Sequence, residues 1–207
     1  MKIFIAGATG RVGEELIKDL TKKGHFIYAG ARRENEITAN EQVMPVHLDL
    51  HATVDEIAEK LSDSEVVYFV AGSRGKDLLQ TDLYGAVKLM QAAEKKGIKR
   101  YVQLSSLFAL QPEKWGESLT EYNISKYFSD NWLVNNTKLD YTILQPGSLK
   151  ETPGNGKVTT NIKKPYENSI ENVALVLAEI IEHENTIGKV ILMSDGDQTV
   201  SEALKTV

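Results

Sequence analysis

A short apolar run, Ile3 to Ala6, is followed by Gly7, Gly10 and Gly13 at three-residue spacing, and helical periodicity then begins at Glu14. No other stretch limits the fold of this chain as strongly. The order is strand, tight turn, helix. Glycine is required there if a pyrophosphate is to lie against bare backbone N–H groups at a helix N-terminus, because a Cβ at either of the first two would hold it away. The third glycine lets helix and strand pack closely. The turn therefore reads as a dinucleotide site, with an ordinary tight turn as the plain alternative.

The 207 residues are 42% hydrophobic, which suits one α/β domain spanning 1–207 with a continuous core. No second domain is needed. The formal net charge is -5 with acids and bases interspersed, so neither nucleic acid nor a membrane is indicated as a partner. Cysteine is absent, which excludes disulfides, Cys-ligated zinc and a Cys nucleophile together. With no signal-like leader and no run of about 18 apolar residues, a cytoplasmic protein is the expectation.

Further along, the pattern alternates strand and helix. Residues 25–31 read as a second strand ending at Arg32 and Arg33; residues 42–49 as a third, interrupted by Pro45 and ending at Asp49 and Leu50. At the end of the second strand of a dinucleotide fold, an acid would bind the adenosine 2′-OH, whereas a guanidinium can fork onto a 2′-phosphate. Two arginines with no acid before Glu34 favour NADP, with NAD possible, and Arg11 can add to the same positive pocket. The alternative is a pair of solvated loop arginines. Asp49 reads equally as an adenine acceptor or as a helix cap, and Thr53 caps a helix through 61.

The most apolar strand, 66–71, runs into Gly72 and Ser73, whose small side chains let the chain pass close to a ribose. A helix over 76–96 is expected to bury Leu79, Leu83, Ala86, Val87, Met90 and Ala93. A fifth strand, 100–104, delivers Ser105 and Ser106; a polar loop covers 107–119. A helix over 120–135 carries Tyr122 and Lys126, and a sixth strand, 139–144, ends in Gln145-Pro146-Gly147. Residues 149–169 lack periodicity and read as a long substrate-side loop. A helix over 170–183, a strand over 189–193 and a short helix over 200–206 close the chain. Alternation of this kind implies a doubly wound parallel sheet with ligands beyond the carboxyl ends of its strands.

Tyr122 and Lys126 are four apart, so their side chains leave one helix face. A nearby ammonium stabilises a phenolate and lets a tyrosine act as general acid or base, and a strand-end serine can hold the substrate oxygen opposite it. Tyr122 and Lys126 are the catalytic candidates, with Ser105 and Ser106 both placed to supply that serine hydroxyl. The histidines are scattered without ligand spacing, and neither serine lies in a Gly-x-Ser-x-Gly elbow.

Gly7 to Gly13, Ala71-Gly72-Ser73, Ser105-Ser106, Tyr122 to Lys126 and Tyr141 to Gly147 occur in an order that resembles the atypical short-chain dehydrogenase/reductases. The nearest likeness is to the compact NAD(P)-binding group of NmrA-like proteins and flavin reductases of the biliverdin reductase B type. The resemblance implies a single-domain, Rossmann-type fold. It assigns the cofactor phosphates to Thr9, Gly10, Arg11 and Val12, the 2′-phosphate to Arg32, and the adenine to Asp49 and Leu50. Ala71, Gly72 and Ser73 would line the ribose, Lys126 the nicotinamide ribose, and the Pro146 carbonyl the carboxamide, and by the same resemblance Ser106 fits the catalytic serine position best, with Ser105 next. Gln145 departs from the family, which usually has Arg before Pro-Gly, and Asn172 stands where an Asp is common.

An NADP-dependent oxidoreductase acting on a small carbonyl, quinone or flavin-like acceptor is the leading expectation. A non-catalytic, NmrA-like redox sensor is the alternative, and an isomerase or epimerase with transiently used NAD is weaker. Substrate and oligomeric state stay open.

Overall fold

A computed structural model describes residues 1–116, 119–160, 162–164 and 166–207. The parts of the expected loops that fall on 117–118, 161 and 165 lie outside the described residues. The chain forms eleven strands, nine in one sheet and two in a separate one. In chain order these begin with β1 (Lys2–Ala6), β2 (Phe26–Ala31), β3 (Val43–His47), β4 (Val66–Phe69), β5 (Arg100–Leu104) and β6 (Asp140–Pro146). After β7 (Ser148–Lys150), β8 (Lys157–Thr160) and β9 (Glu167–Ser169) come β10 (Lys189–Asp195) and β11 (Gln198–Thr199). The large sheet has the order β11-β8-β10-β6-β5-β4-β1-β2-β3, and β7 pairs only with β9 in the small one; the first six strands and β10 run parallel, while β8 and β11 pair antiparallel at one edge.

Parallel strands are covered on both faces, which is why β1 and β4 read as unbroken apolar runs rather than alternating ones. Helices α1 (Arg11–Lys22), α5 (Ile170–Ile180) and α6 (Val200–Leu204) cover one face, packing Leu16, Leu20, Val173 and Leu177 onto Ile3, Ile5 and Tyr68. On the other face, α2 (Val54–Lys60) and α3 (Ala86–Lys95) join Leu133 of α4 (Thr120–Asn136) over Phe4, Phe69 and Tyr101. The strand order reverses between β1 and β4. Such a switch point opens a crevice beyond the strands' carboxyl ends, and the glycine turn sits at its mouth.

Several expectations change in the structure. The helix expected over 76–96 is instead a π-helical segment, Leu78–Gly85, continued by α3. Its wider turns break the 3.6-residue period, so Leu79 faces solvent while Asp82 is buried. The stretch 149–169 contains β7, β8 and β9, each three or four residues long. Strands that short leave no periodicity to read; their partners, β10 and each other, lie far away or across a loop. The parallel sheet gains an antiparallel edge for the same reason. Pro45 sits in register opposite Ala29 on β3, the edge strand, where its missing N–H costs no ladder bond. Gly97 stops α3 with a φ of 74° and its N–H on the Glu94 carbonyl.

The close fit of α1 on β1 gives a direct test. A Cβ at Gly13 would stand 2.3 Å from the Gly7 carbonyl oxygen, a backbone atom that cannot turn aside. Gly13→Ala is expected to lower stability by about 1–3 kcal/mol, read as a lower midpoint in urea denaturation with an unchanged slope.

Candidate active site

The first half of the site is built by backbone. Gly7 takes a φ of 100°, and its N–H and that of Ala8 both reach the Gly30 carbonyl, at 3.0 and 3.1 Å. A Cβ on Gly7 would meet the Ala71 backbone at 2.6 Å, so the ends of β1 and β4 can approach only because no side chain intervenes. Gly10 is the N-cap of α1 and offers no side chain to its first amides. By contrast, α2 and α6 close their own N-termini with the capping boxes Thr53–Glu56 and Thr199–Glu202. Helix α1 thus leaves its amide end, with the positive end of its dipole, to a ligand.

Beyond that turn lies a cavity of about 350 Å³ lined by Gly7, Thr9, Gly10, Arg32, Arg33, Asp49, Leu50, Ala71, Gly72 and Ser73. Two further cations, Arg74 and Lys76, also line it. Sequence reading passed over both. Arg74 has a φ of 55° and precedes Gly75 at 81°, a turn that brings it to the rim; nothing in local sequence marks it. Arg33 is paired with Glu36 at 3.0 Å, and Arg11 reaches across to Glu151 at 3.1 Å. Asp77, which burial does not protect, is held below the usual carboxylate range by hydrogen bonds from Thr81 and His51.

Contacts place the other residues named from the sequence. Val12 and Gly13 are buried in the α1 packing, so only their backbone remains for a cofactor. Asp49 Oδ1 accepts the His51 N–H at 2.9 Å in a local turn; the capping of α2 belongs to Thr53. Leu50 lines the cavity and packs on Gly85. The Pro146 carbonyl already accepts the Leu107 N–H at 3.0 Å, leaving one lone pair. The Ser105 hydroxyl is not free to meet a ligand: it is buried and donates to Asp130 at 2.6 Å. Asn172 is tied to the 150s segment and to Asp195, accepting the Gly156 N–H at 2.9 Å and donating to Asp195 Oδ1 at 2.8 Å.

The second half is a dehydrated proton site. Lys126 is buried to 2% exposure, its ammonium 5.4 Å from the Phe69 ring centre and 5.7 Å from that of Tyr122. It donates to the Leu104 carbonyl at 3.4 Å, a long contact at the end of β5. Two aromatic faces hold a cation that would otherwise be costly to bury. Ser106, one residue past Ser105, is partly exposed and donates to Asn123 Oδ1 at 3.1 Å. Tyr122, Lys126, Ser106 and Asn123 therefore gather where β5 ends and α4 begins. Asn123 escaped the sequence reading because an Asn beside a Tyr carries no signal until a tertiary partner is known.

A family model described as NAD(P)H-binding matches residues 7–184. The chain belongs to that family. A solved structure of the oxidoreductase ylbE from Lactococcus lactis is 45% identical, with a TM-score of 0.97, covering 100% of this chain and 96% of that one. Among curated proteins, a Bacillus subtilis (strain 168) protein named as an uncharacterized sugar epimerase, YhfK, is 33% identical over 99% of both chains. Saccharomyces cerevisiae (strain ATCC 204508 / S288c) has a relative, UPF0659 protein YMR090W, 33% identical over 100% of this chain and 99% of its own. The atypical short-chain dehydrogenase/reductase likeness drawn from the motifs agrees with these relatives. Among the described residues, no cluster of His, Cys, Asp or Glu could hold a metal, and no helix is long and apolar enough to cross a membrane.

For an NAD(P)H-binding chain the Arg11–Glu151 pair is a competitor for the diphosphate, since it occupies a guanidinium at the first turn of α1. Both partners are largely exposed, so the pair is weak. Glu151→Gln is expected to tighten dinucleotide binding roughly twofold to fivefold, measured by quenching of intrinsic fluorescence at low salt, with the gain shrinking at high salt.

Proposed function

We propose that the protein is an NADP-dependent oxidoreductase acting on a small carbonyl, quinone or flavin-like acceptor. The bare main chain of Gly7 and Gly10, which lines the cavity, and the uncapped amide end of α1 fit a dinucleotide diphosphate. A bound nicotinamide would supply hydride chemistry. The single observation that carries the catalytic reading is the buried Lys126 ammonium under the Tyr122 ring. Beside that cation, the Tyr122 hydroxyl can give its proton to an oxygen that gains charge as the acceptor is reduced. Ser106 would hold that same oxygen from the end of β5. In the reverse direction the phenolate takes the proton back.

The preference for NADP is supported by the cavity's charge. Arg32, Arg33, Arg74 and Lys76 line it against one acid, Asp49, and a guanidinium fork matches a 2′-phosphate. An unpaired 2′-OH would gain little from such a rim. The relative named as a sugar epimerase favours a second reading, in which the same tyrosine serves an epimerisation with transiently used cofactor.

Purified protein is expected to oxidise NADPH with a panel of quinones, flavins and aldehydes, and Tyr122→Phe is expected to slow that turnover roughly tenfold or more. Tight NADPH binding with no turnover on any acceptor would favour a redox sensor; turnover of nucleotide sugars without net NADPH loss would favour the epimerase. In the same assays Arg32→Ala is expected to weaken NADPH by about 1.5–3 kcal/mol and NADH far less. Equal weakening of both would remove the 2′-phosphate assignment.

A further inference from the structure

Asp130 is completely buried one helical turn beyond Lys126, on the same face of α4. Its Oδ2 accepts the Ser105 hydroxyl at 2.6 Å and the Gln145 amide at 3.0 Å, and its Oδ1 accepts the Gln103 amide at 2.6 Å. Among the described residues no cation is within ion-pair distance of it. The charged groups that face it are Lys126 from its own helix and, when ionised, Tyr101 from β5; β6 contributes the neutral Gln145.

A carboxylate buried without an ion pair is expensive, and the three donors around it could be satisfied by a neutral side chain. Gln103 and Gln145 each keep a buried Oε1 without a partner, so either amide could turn to receive a donor at position 130. What an aspartate adds beyond an asparagine is therefore charge. That charge lies next to the strand end that carries both serines and behind the buried ammonium.

We propose that Asp130 is a positioning residue for proton transfer: it draws the Ser105 hydroxyl into the sheet–helix interface, leaves Ser106 as the hydroxyl offered to substrate, and supplies the anionic field that Lys126 and Tyr122 feel. This rests on the oxidoreductase reading above. Burial raises the Asp130 carboxyl above the usual carboxylate range, against the pull of its three donors and of Lys126. A raised acid contributes stability below its unfolded value, and that contribution is lost as pH rises through its folded value. An asparagine can meet the same three partners without a buried charge, so it should not destabilise the fold.

The test compares wild type with Asp130→Asn from pH 6 to 10, using NADPH and 1,4-naphthoquinone as the acceptor, together with NADPH affinity and thermal midpoint. Removing an anion makes every nearby proton easier to lose. The variant is expected to keep a thermal midpoint at pH 8 no lower than wild type and NADPH affinity within about twofold. Its turnover should fall about threefold or more, and the alkaline limb of its rate profile should move to lower pH by about half a unit, as a lost charge about two helical turns from the phenol would give. Gln145→Arg, which gives Asp130 a cation of its own and so cancels its field, should move the limb the same way with the aspartate still present. It also covers the case in which Asp130→Asn fails to fold. An alkaline limb that stays in place in the folded variants overturns the proposal. If wild type binds NADPH but reduces no acceptor, the oxidoreductase reading fails by itself. The Tyr122-dependent absorbance change on alkaline titration, wild type minus Tyr122→Phe, then reads Asp130 without turnover: a shift to lower pH in the Asp130→Asn background supports the field, and no shift overturns it.

Discussion

The approach of backbone to backbone where β1 meets α1 governs the rest of the molecule. Gly7 lies against the Ala71 backbone and Gly13 against the Gly7 carbonyl, so the sheet's switch point is closed by main chain alone. Gly10, the N-cap of α1, has no side chain to cap that helix and lines the cavity. Every other feature of the site is placed relative to it, because the strands that end beside this turn also carry the cavity's cations and the proton-handling residues.

Two environments of opposite character follow from that arrangement. Around the turn, four cations line an open cavity, and their exposure keeps burial costs low while leaving their charge for a phosphate. Past β5, Lys126 and Asp130 are withdrawn from water between α4 and the sheet. Few charges are present there, but each acts through a weaker screen. Anion binding is served by the first setting, proton transfer by the second, and α/β connectivity brings both to one edge because all the parallel strands end on the same side.

The motifs that were legible in the sequence are those whose physics is local. Gly7, Gly10 and Gly13 announce a turn because Gly7 takes a positive φ and a Cβ at Gly7 or Gly13 would collide with neighbouring backbone. Tyr122 and Lys126 announce a shared face because helical spacing alone fixes it. The apolar runs of β1 and β4 announce burial on both faces. Less could be read where a neighbour decides. Ser105 and Ser106 are chemically the same residue in sequence, and only Asp130, 25 residues away, assigns one to the interior and leaves the other at the surface. The π-helical turn that exposes Leu79 answers to the Ser73 amide held by Asp82, a contact with no local signature.

What the chain determined unaided was the fold class and the presence of a dinucleotide cradle, since glycine spacing and hydrophobic period act within a few residues. Tertiary structure alone decided which hydroxyl is buried against a carboxylate, which cations share the rim, and which carboxylate stands behind the lysine. Those outcomes depend on distances between segments far apart in the chain, and such distances exist only once the sheet has closed.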